Sequence, residues 1–262
     1  MRSKPFFDSP LPRIFAHRGF AAPGGSIVEN TIPAFAAALE LGAAYLETDV
    51  HASSDGVAIV SHDPDLSRLT GTKALVSAHT LAELRQLELG PEATFSSLAE
   101  LLDTFPDARF NIDIKSRDAV VPTIEAVRAL SAGSRVLLTS FSERRRMGAV
   151  RAIPKVATSA SAGRFLRALL AGKVGLTSEV HRALAEVDAV QVPERALSLA
   201  VTTPAFVEQL HEAGVEIHVW TINEAADMHR LLDVGSTGSS PIAPISRWKC
   251  SRNEPPKPAR RL

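Results

Sequence analysis

The chain has one cysteine, Cys250, among 262 residues. A lone thiol forms no internal disulfide and excludes a metal site built from clustered cysteines. No apolar run approaches the ~20 residues that a helix needs to cross a bilayer. Met1 to Pro12 carries no apolar stretch of the secretory-signal kind. Charge of one sign is missing as well: 29 basic residues face 29 acidic ones. That balance argues against a partner bound by broad electrostatics, nucleic acid above all. Neither a G-x-G-x-x-G nor a Walker-type loop is present, so no dinucleotide or P-loop signature exists. What is there is a chain 45% apolar, enough for one full-sized core. A soluble, cytoplasmic protein with no membrane span is expected, and its oligomeric state is not legible.

The zero net charge hides an uneven distribution. From Ser236 onward there are six basic residues and one acidic residue, Glu254, which leaves the preceding residues at −5. The domain expectation follows this break: a barrel domain over 1–235 and an atypical basic tail, expected to be disordered, over 236–262.

Short β-type runs alternate with longer helical patterns about seven times, as in parallel βα units. At this length the pattern predicts an α/β fold of the (β/α)₈ TIM-barrel type, which typically takes ~250 residues. Asn30 is a candidate N-cap for a helix over 31–41. In such a barrel, chemistry gathers at the C-terminal ends of the strands. The polar residues sit there. One strand ends in His17-Arg18-Gly19, the next carries Glu47-Thr48-Asp49, a hairpin-like strand ends in His62-Asp63, another carries Asp113-Ile114-Lys115, and a late strand ends near Trp220.

Glu47 and Asp49 are two apart, so on a strand both side chains share a face. Two adjacent carboxylates repel unless protons or a cation intervene, and a hard divalent ion with oxygen ligands answers that need. Asp113 can add a third oxygen from a neighbouring strand. Taken alone, the Glu-x-Asp pair also fits an exposed acidic strand end. His17 and His62 are the candidates for proton transfer, because imidazole titrates near neutral pH. His51 shares the face of Asp49 and has at most a minor role. Arg18 and Lys115 supply positive charge beside the carboxylates, suited to a phosphate. Trp220 reads equally as a core residue or as a wall for the alcohol part of a substrate.

Taken in order, His17-Arg18-Gly19, Glu29-Asn30-Thr31, Glu47-Thr48-Asp49-Val50, His62-Asp63, Asp113-Ile114-Lys115 and Val219-Trp220-Thr221-Ile222-Asn223 resemble the glycerophosphodiester phosphodiesterase family over roughly 12–235. The resemblance implies metal-dependent hydrolysis of a small glycerophosphodiester to sn-glycerol 3-phosphate and an alcohol. It implies that Glu47, Asp49 and Asp113 hold one divalent cation, Mg²⁺ or Ca²⁺. Many relatives carry Glu in place of Asp113. It implies His17 and His62 as the acid–base pair and Arg18 and Lys115 as the phosphate holders. Lysophospholipase D-like or phospholipase C-like chemistry is the alternative on the same barrel. The segment over 63–108 shows no membrane-binding face, which favours a soluble diester over a long-chain lysolipid.

The end of the chain departs from the family. Text resembling V-D-G-I-V-T-D-R-A-D-L is expected after Gly235. Back-translated with GC-rich codons and read one base later, that text becomes S-T-G-S-S-P-I-A-P-I-S, which is the sequence from Ser236 to Ser246. A one-base deletion near the Gly235 codon would account for it, and 22 Arg against 7 Lys fits a GC-rich gene; the alternative is a natural divergent tail. On this reading Ser236 to Ser246 is coil, the eighth strand and last helix are lost, an open seven-stranded sheet remains, and the truncated barrel could be inactive.

Overall fold

The computed structural model describes residues 4–21, 26–91, 93–197 and 199–240. Its centre is a ring of parallel strands: β1 (Arg13–His17), β2 (Tyr45–Ala52), β3 (Arg109–Ile114), β4 (Val136–Thr139), β5 (Ala157–Thr158), β6 (Ala189–Val192), β7 (Glu216–Trp220) and β8 (Gly238–Ser240). Hydrogen-bonded neighbours run β5-β4-β3-β2-β1-β8-β7-β6. A parallel bridge between Ser159 and Ala189 joins the two ends. There Asp188 N–H donates to the Thr158 carbonyl and Ala160 N–H to the Ala189 carbonyl, both at 2.9 Å. The (β/α)₈ barrel predicted by the alternation is therefore present and closed.

Strand alternation sorts the side chains. Outward residues such as Leu46, Phe110, Ile112, Leu138 and Val190 are buried with the apolar faces of the surrounding helices. One of these helices, α1 (Ile32–Glu40), is capped by Thr31, whose side chain accepts from Ala34 N–H. The cap is thus Thr31, one residue later than expected, because the Asn30 side chain is committed to β2. A second helix between β5 and β6, Thr177–Ala183, was not visible in the pattern; it is two turns long and has no side-chain cap.

Inward residues at the N-terminal end build a floor. Phe15, Tyr45, Leu137, Ala157 and Ala189 pack together with Phe6, which a turn over Pro5–Phe7 delivers beneath the barrel. Arg13, only 4% exposed, crosses this floor. Its Nε and Nη2 donate to the two carboxylate oxygens of Glu216 at 2.7 and 2.8 Å. Its remaining donors reach the Tyr45 hydroxyl at 2.9 Å and the carbonyls of Phe7 and Ser9. His218 adds a 3.0 Å contact to Glu216.

That clamp joins β1 to β7 across β8 and corrects one expectation. Gly238–Ser240, expected as coil, pairs in parallel with both neighbours: Arg13 and His218 both register with Gly238. The slot between β1 and β7 presents unpaired backbone donors and acceptors on both sides, which any extended segment free of proline can satisfy. Gly238 suits it, because a Cβ there would lie 2.7 Å from the Arg13 carbonyl oxygen. The hydroxyl of Ser236 donates to the Gly238 carbonyl at 2.9 Å, and that of Thr237 to the Ile217 carbonyl, also at 2.9 Å. The strands facing the gap thus have no open edges over these residues. The rest of the tail and the helix expected to be missing fall in 241–262, outside the described residues.

Burial alone would raise the Glu216 carboxyl, but its bonds to His218 and Arg13 hold it down at about 2. A carboxyl lowered on folding contributes stability that is complete above its unfolded value and is lost as pH falls towards the folded one. Glu216→Gln is expected to cost about 3 kcal/mol near neutral pH, as for a broken buried pair, and to flatten the loss of stability between about pH 4.5 and 2 in urea titrations. Gly238→Ala, forced against backbone, is expected to cost about 2 kcal/mol in the same assay.

Candidate active site

At the opposite end, the C-terminal ends of the strands enclose a cavity of about 340 Å³. His17, Arg18, Glu47, Asp49, His62, Asp113, Lys115 and Trp220, the full set expected from the sequence, line it. Register explains the convergence. His17 pairs with Glu47, and Asp49 pairs with Asp113, so inward side chains of β1, β2 and β3 meet at adjacent levels. Trp220 ends β7 on the far side and is 36% exposed, a wall of the cavity rather than a core residue.

The carboxylates are crowded and dry. Glu47, Asp49 and Asp113 are all buried. Burial first, then the charges of Asp49 and Asp113, push the Glu47 carboxyl well above the ordinary range, despite Lys115. Burial also raises Asp113, with Lys115 opposing it. Lys115 Nζ lies 2.8 Å from Asp49 Oδ1 and 2.7 Å from Asp113 Oδ2. Burial pulls its pKa down, but Asp49 and Asp113 reverse this and push it up to about 12. Among the described residues Glu47 takes the Arg18 backbone N–H at 3.0 Å and a 3.8 Å approach from His17. Asp113 Oδ1 is buried with no hydrogen-bond partner. Among the described residues no three acidic or imidazole side chains already converge as a metal cluster. Even so, an acidic set short of positive charge, with an oxygen left unsatisfied, suits a hard cation.

The histidines differ. His17 is mostly buried, and burial followed by the charge of Arg18 lowers its pKa to about 4. His62 is a third exposed, and its Nδ1 lies 2.8 Å from Asp63 Oδ1. His51 does not reach the cavity chemistry; its Nε2 lies 3.2 Å from the His62 carbonyl oxygen.

Further residues shape the site. The Asn30 amide donates to Asp49 Oδ2 at 3.3 Å, and its oxygen accepts from Thr48 Oγ1 at 2.9 Å. Asn30 tolerates the left-handed backbone it needs for this, at φ 58°. Asn111, Thr139 and Gln191 also line the cavity. Asn111 stands two before Asp113 and could have been found by alternation. Arg68 belongs to the run Arg68-Leu69-Thr70-Gly71, which resembles the family's loop after the His-Asp pair, but its partners Asp63 and Glu29 are set by the fold of that loop.

The family model of the glycerophosphoryl diester phosphodiesterases matches residues 17–239. The chain belongs to this family. Its reaction class is hydrolysis of glycerophosphodiesters. The Mycobacterium tuberculosis protein named "Probable glycerophosphodiester phosphodiesterase 2" is 40% identical over 224 residues, 85% of this chain and 84% of that one. A glycerophosphodiester phosphodiesterase of Caldanaerobacter subterraneus is 30% identical over 239 residues, 86% of this chain and 91% of that one. In fold, the chain resembles the Agrobacterium tumefaciens glycerophosphodiester phosphodiesterase at TM-score 0.75 and 24% identity, covering 93% of this chain and 100% of that one. It also resembles an Oleispira antarctica phosphodiesterase solved with its product sn-glycerol-3-phosphate, at TM-score 0.70 and 20% identity, covering 93% and 98%.

With chelator present, the His17 imidazole is expected to titrate near pH 4 in NMR and to stay neutral through pH 7, because burial disfavours the charged ring. A ring still half-charged at pH 6.5 would contradict this environment.

Proposed function

We propose that this chain cleaves small glycerophosphodiesters to sn-glycerol 3-phosphate and an alcohol such as choline or ethanolamine, with His17 and His62 moving the protons. The observation that carries this reading is the meeting of two histidines, three dry carboxylates and two cations in one cavity. Glu47, Asp49 and Asp113 would hold one divalent cation, Mg²⁺ or Ca²⁺. Such a cation supplies Lewis-acid stabilisation of the charge that builds on the phosphoryl oxygens. For that, Lys115 exchanges Asp49 and Asp113 for substrate oxygens, and with Arg18 it holds the phosphate. One histidine takes the proton of the attacking oxygen, that of water or of the substrate's own glycerol hydroxyl with water then opening the cyclic phosphate, and the other protonates the departing alkoxide. Trp220 walls the alcohol portion.

The insertion supports a soluble substrate. Ile59, Leu66, Val76, Leu84, Leu89, Ala93 and Phe95 are buried in a core of their own, so they present no apolar face to a lipid surface. Among the described residues no helix is long and apolar enough to cross a membrane. A cytoplasmic workplace is in keeping with the lone cysteine. The basic tail from Ser236 onward is read as a shifted frame whose first residues supply β8, and the family match stops at residue 239. Sequencing the gene across the Gly235 codon tests this; no alternative frame encoding a strand and helix there would refute it.

The purified chain is expected to release glycerol 3-phosphate from glycerophosphocholine with Mg²⁺ or Ca²⁺, and a chelator should abolish the release. His17→Ala and His62→Ala should each lower kcat by about 10²- to 10⁴-fold, as for lost general acid–base groups. Full activity with the chelator present would refute the cation role, and unaffected histidine variants would refute the proton-transfer roles.

A further inference from the structure

Five charged side chains and the His62 ring form a continuous chain beside the cavity. Asp63 Oδ1 lies 2.8 Å from His62 Nδ1, and its Oδ2 accepts from Arg68 Nε at 2.5 Å. The other arm of the same guanidinium, Nη2, donates to Glu29 Oε1 at 2.6 Å. That oxygen also accepts from Arg18 Nη1 at 3.0 Å. Arg18 Nε in turn stands 3.4 Å from Asp49 Oδ2. Arg68 is thus the one described residue that touches both the carboxylate behind His62 and the carboxylate behind Arg18.

We propose that Arg68 is a positioning residue that fixes His62 and Arg18 together, by holding Asp63 against one and Glu29 against the other. The inference rests on the reading of His62 and Arg18 as working groups. Three observations carry it. First, the planar fork spans two carboxylates at once, which an ammonium cannot do with the same geometry. Second, the backbone of Arg68 is anchored. It lies in a single helical turn, Ser67–Thr70, next to Leu66, which is fully buried in the core of the insertion. Third, the location argues against a role in stability. Arg68 is 47% exposed, and exposed pairs contribute at most about 1 kcal/mol, whereas the two carboxylates it grips are about half as exposed, at 23% each. Its effect is therefore on orientation. With Asp63 pinned, the Nδ1 proton of His62 is directed to Asp63, and Nε2 keeps one orientation toward the cavity, the logic by which a buried carboxylate fixes a catalytic imidazole. Burial opposes it, yet the bond from Arg68 and the nearby guanidinium charges keep the Glu29 carboxyl below its ordinary value, so that it remains an anionic grip on Arg18.

The test compares Arg68→Met and Arg68→Lys with the natural chain, by glycerophosphocholine turnover, thermal midpoint and ¹⁵N signals of the His62 ring. Arg68→Met is expected to lower kcat by about tenfold to a hundredfold, the usual cost of losing a residue that orients a working group. Its thermal midpoint should be unchanged, added guanidinium should restore part of the rate, and the His62 ring should become a mixture of tautomers. Arg68→Lys should fall between the two. The proposal is overturned if Arg68→Met leaves kcat and the ring signals unchanged. It is equally overturned if the loss follows a fall in thermal midpoint and guanidinium restores nothing. Should the natural chain release no glycerol 3-phosphate, the functional reading fails separately, and the ring signals alone decide the role of Arg68.

Discussion

A two-pronged ion pair closes this barrel. Arg13 on β1 and Glu216 on β7 meet over β8, a strand only three residues long (Gly238–Ser240). So short a strand contributes little by its own propensity; it is held because its neighbours are held. A buried pair of this kind repays its desolvation only if every remaining donor finds a partner. Here Arg13 also bonds Tyr45 and two backbone carbonyls, so the condition is met. The same pair draws the N-terminal segment beneath the ring, and the level of His17 and Glu47 is set from below.

The two ends of the barrel use charge in opposite ways. At the floor, positive and negative groups are matched. At the mouth, three carboxylates share Lys115 and the rim of Arg18, and Asp113 keeps an oxygen unsatisfied. A matched cluster stabilises the fold and does no chemistry. An unmatched one is costly alone, and the proposed cation and phosphate would offset that cost. The stability of the floor offsets the cost carried by the mouth.

Period-two alternation explains why so much of the site was legible from the residues. Glu47 and Asp49 had to share the inner face once they lay on a strand, Lys115 follows Asp113 by two just past the end of β3, and the barrel brought the strands side by side. Asn111 obeyed the same rule but carries no charge to draw notice. The partners of Arg68 are hidden for a different reason. Its contact with Glu29 spans 39 residues and depends on how the insertion folds. The eighth strand was hidden because Gly238 and the serines after it have little β propensity; the slot between β1 and β7 imposes the extended form. Asn30 has the residue type of a cap, while its use in the fold, holding Asp49, exists only in three dimensions.

The aromatic floor makes the barrel a cup with one opening. Phe6, Phe15 and Tyr45 block any exit below the carboxylates. Among the described residues the cavity thus opens at one rim, lined by Trp220 and Phe141 and by His62, which reactant and products share. Traffic through a single doorway is sequential: the fragment lodged nearer the floor waits until the outer fragment has gone.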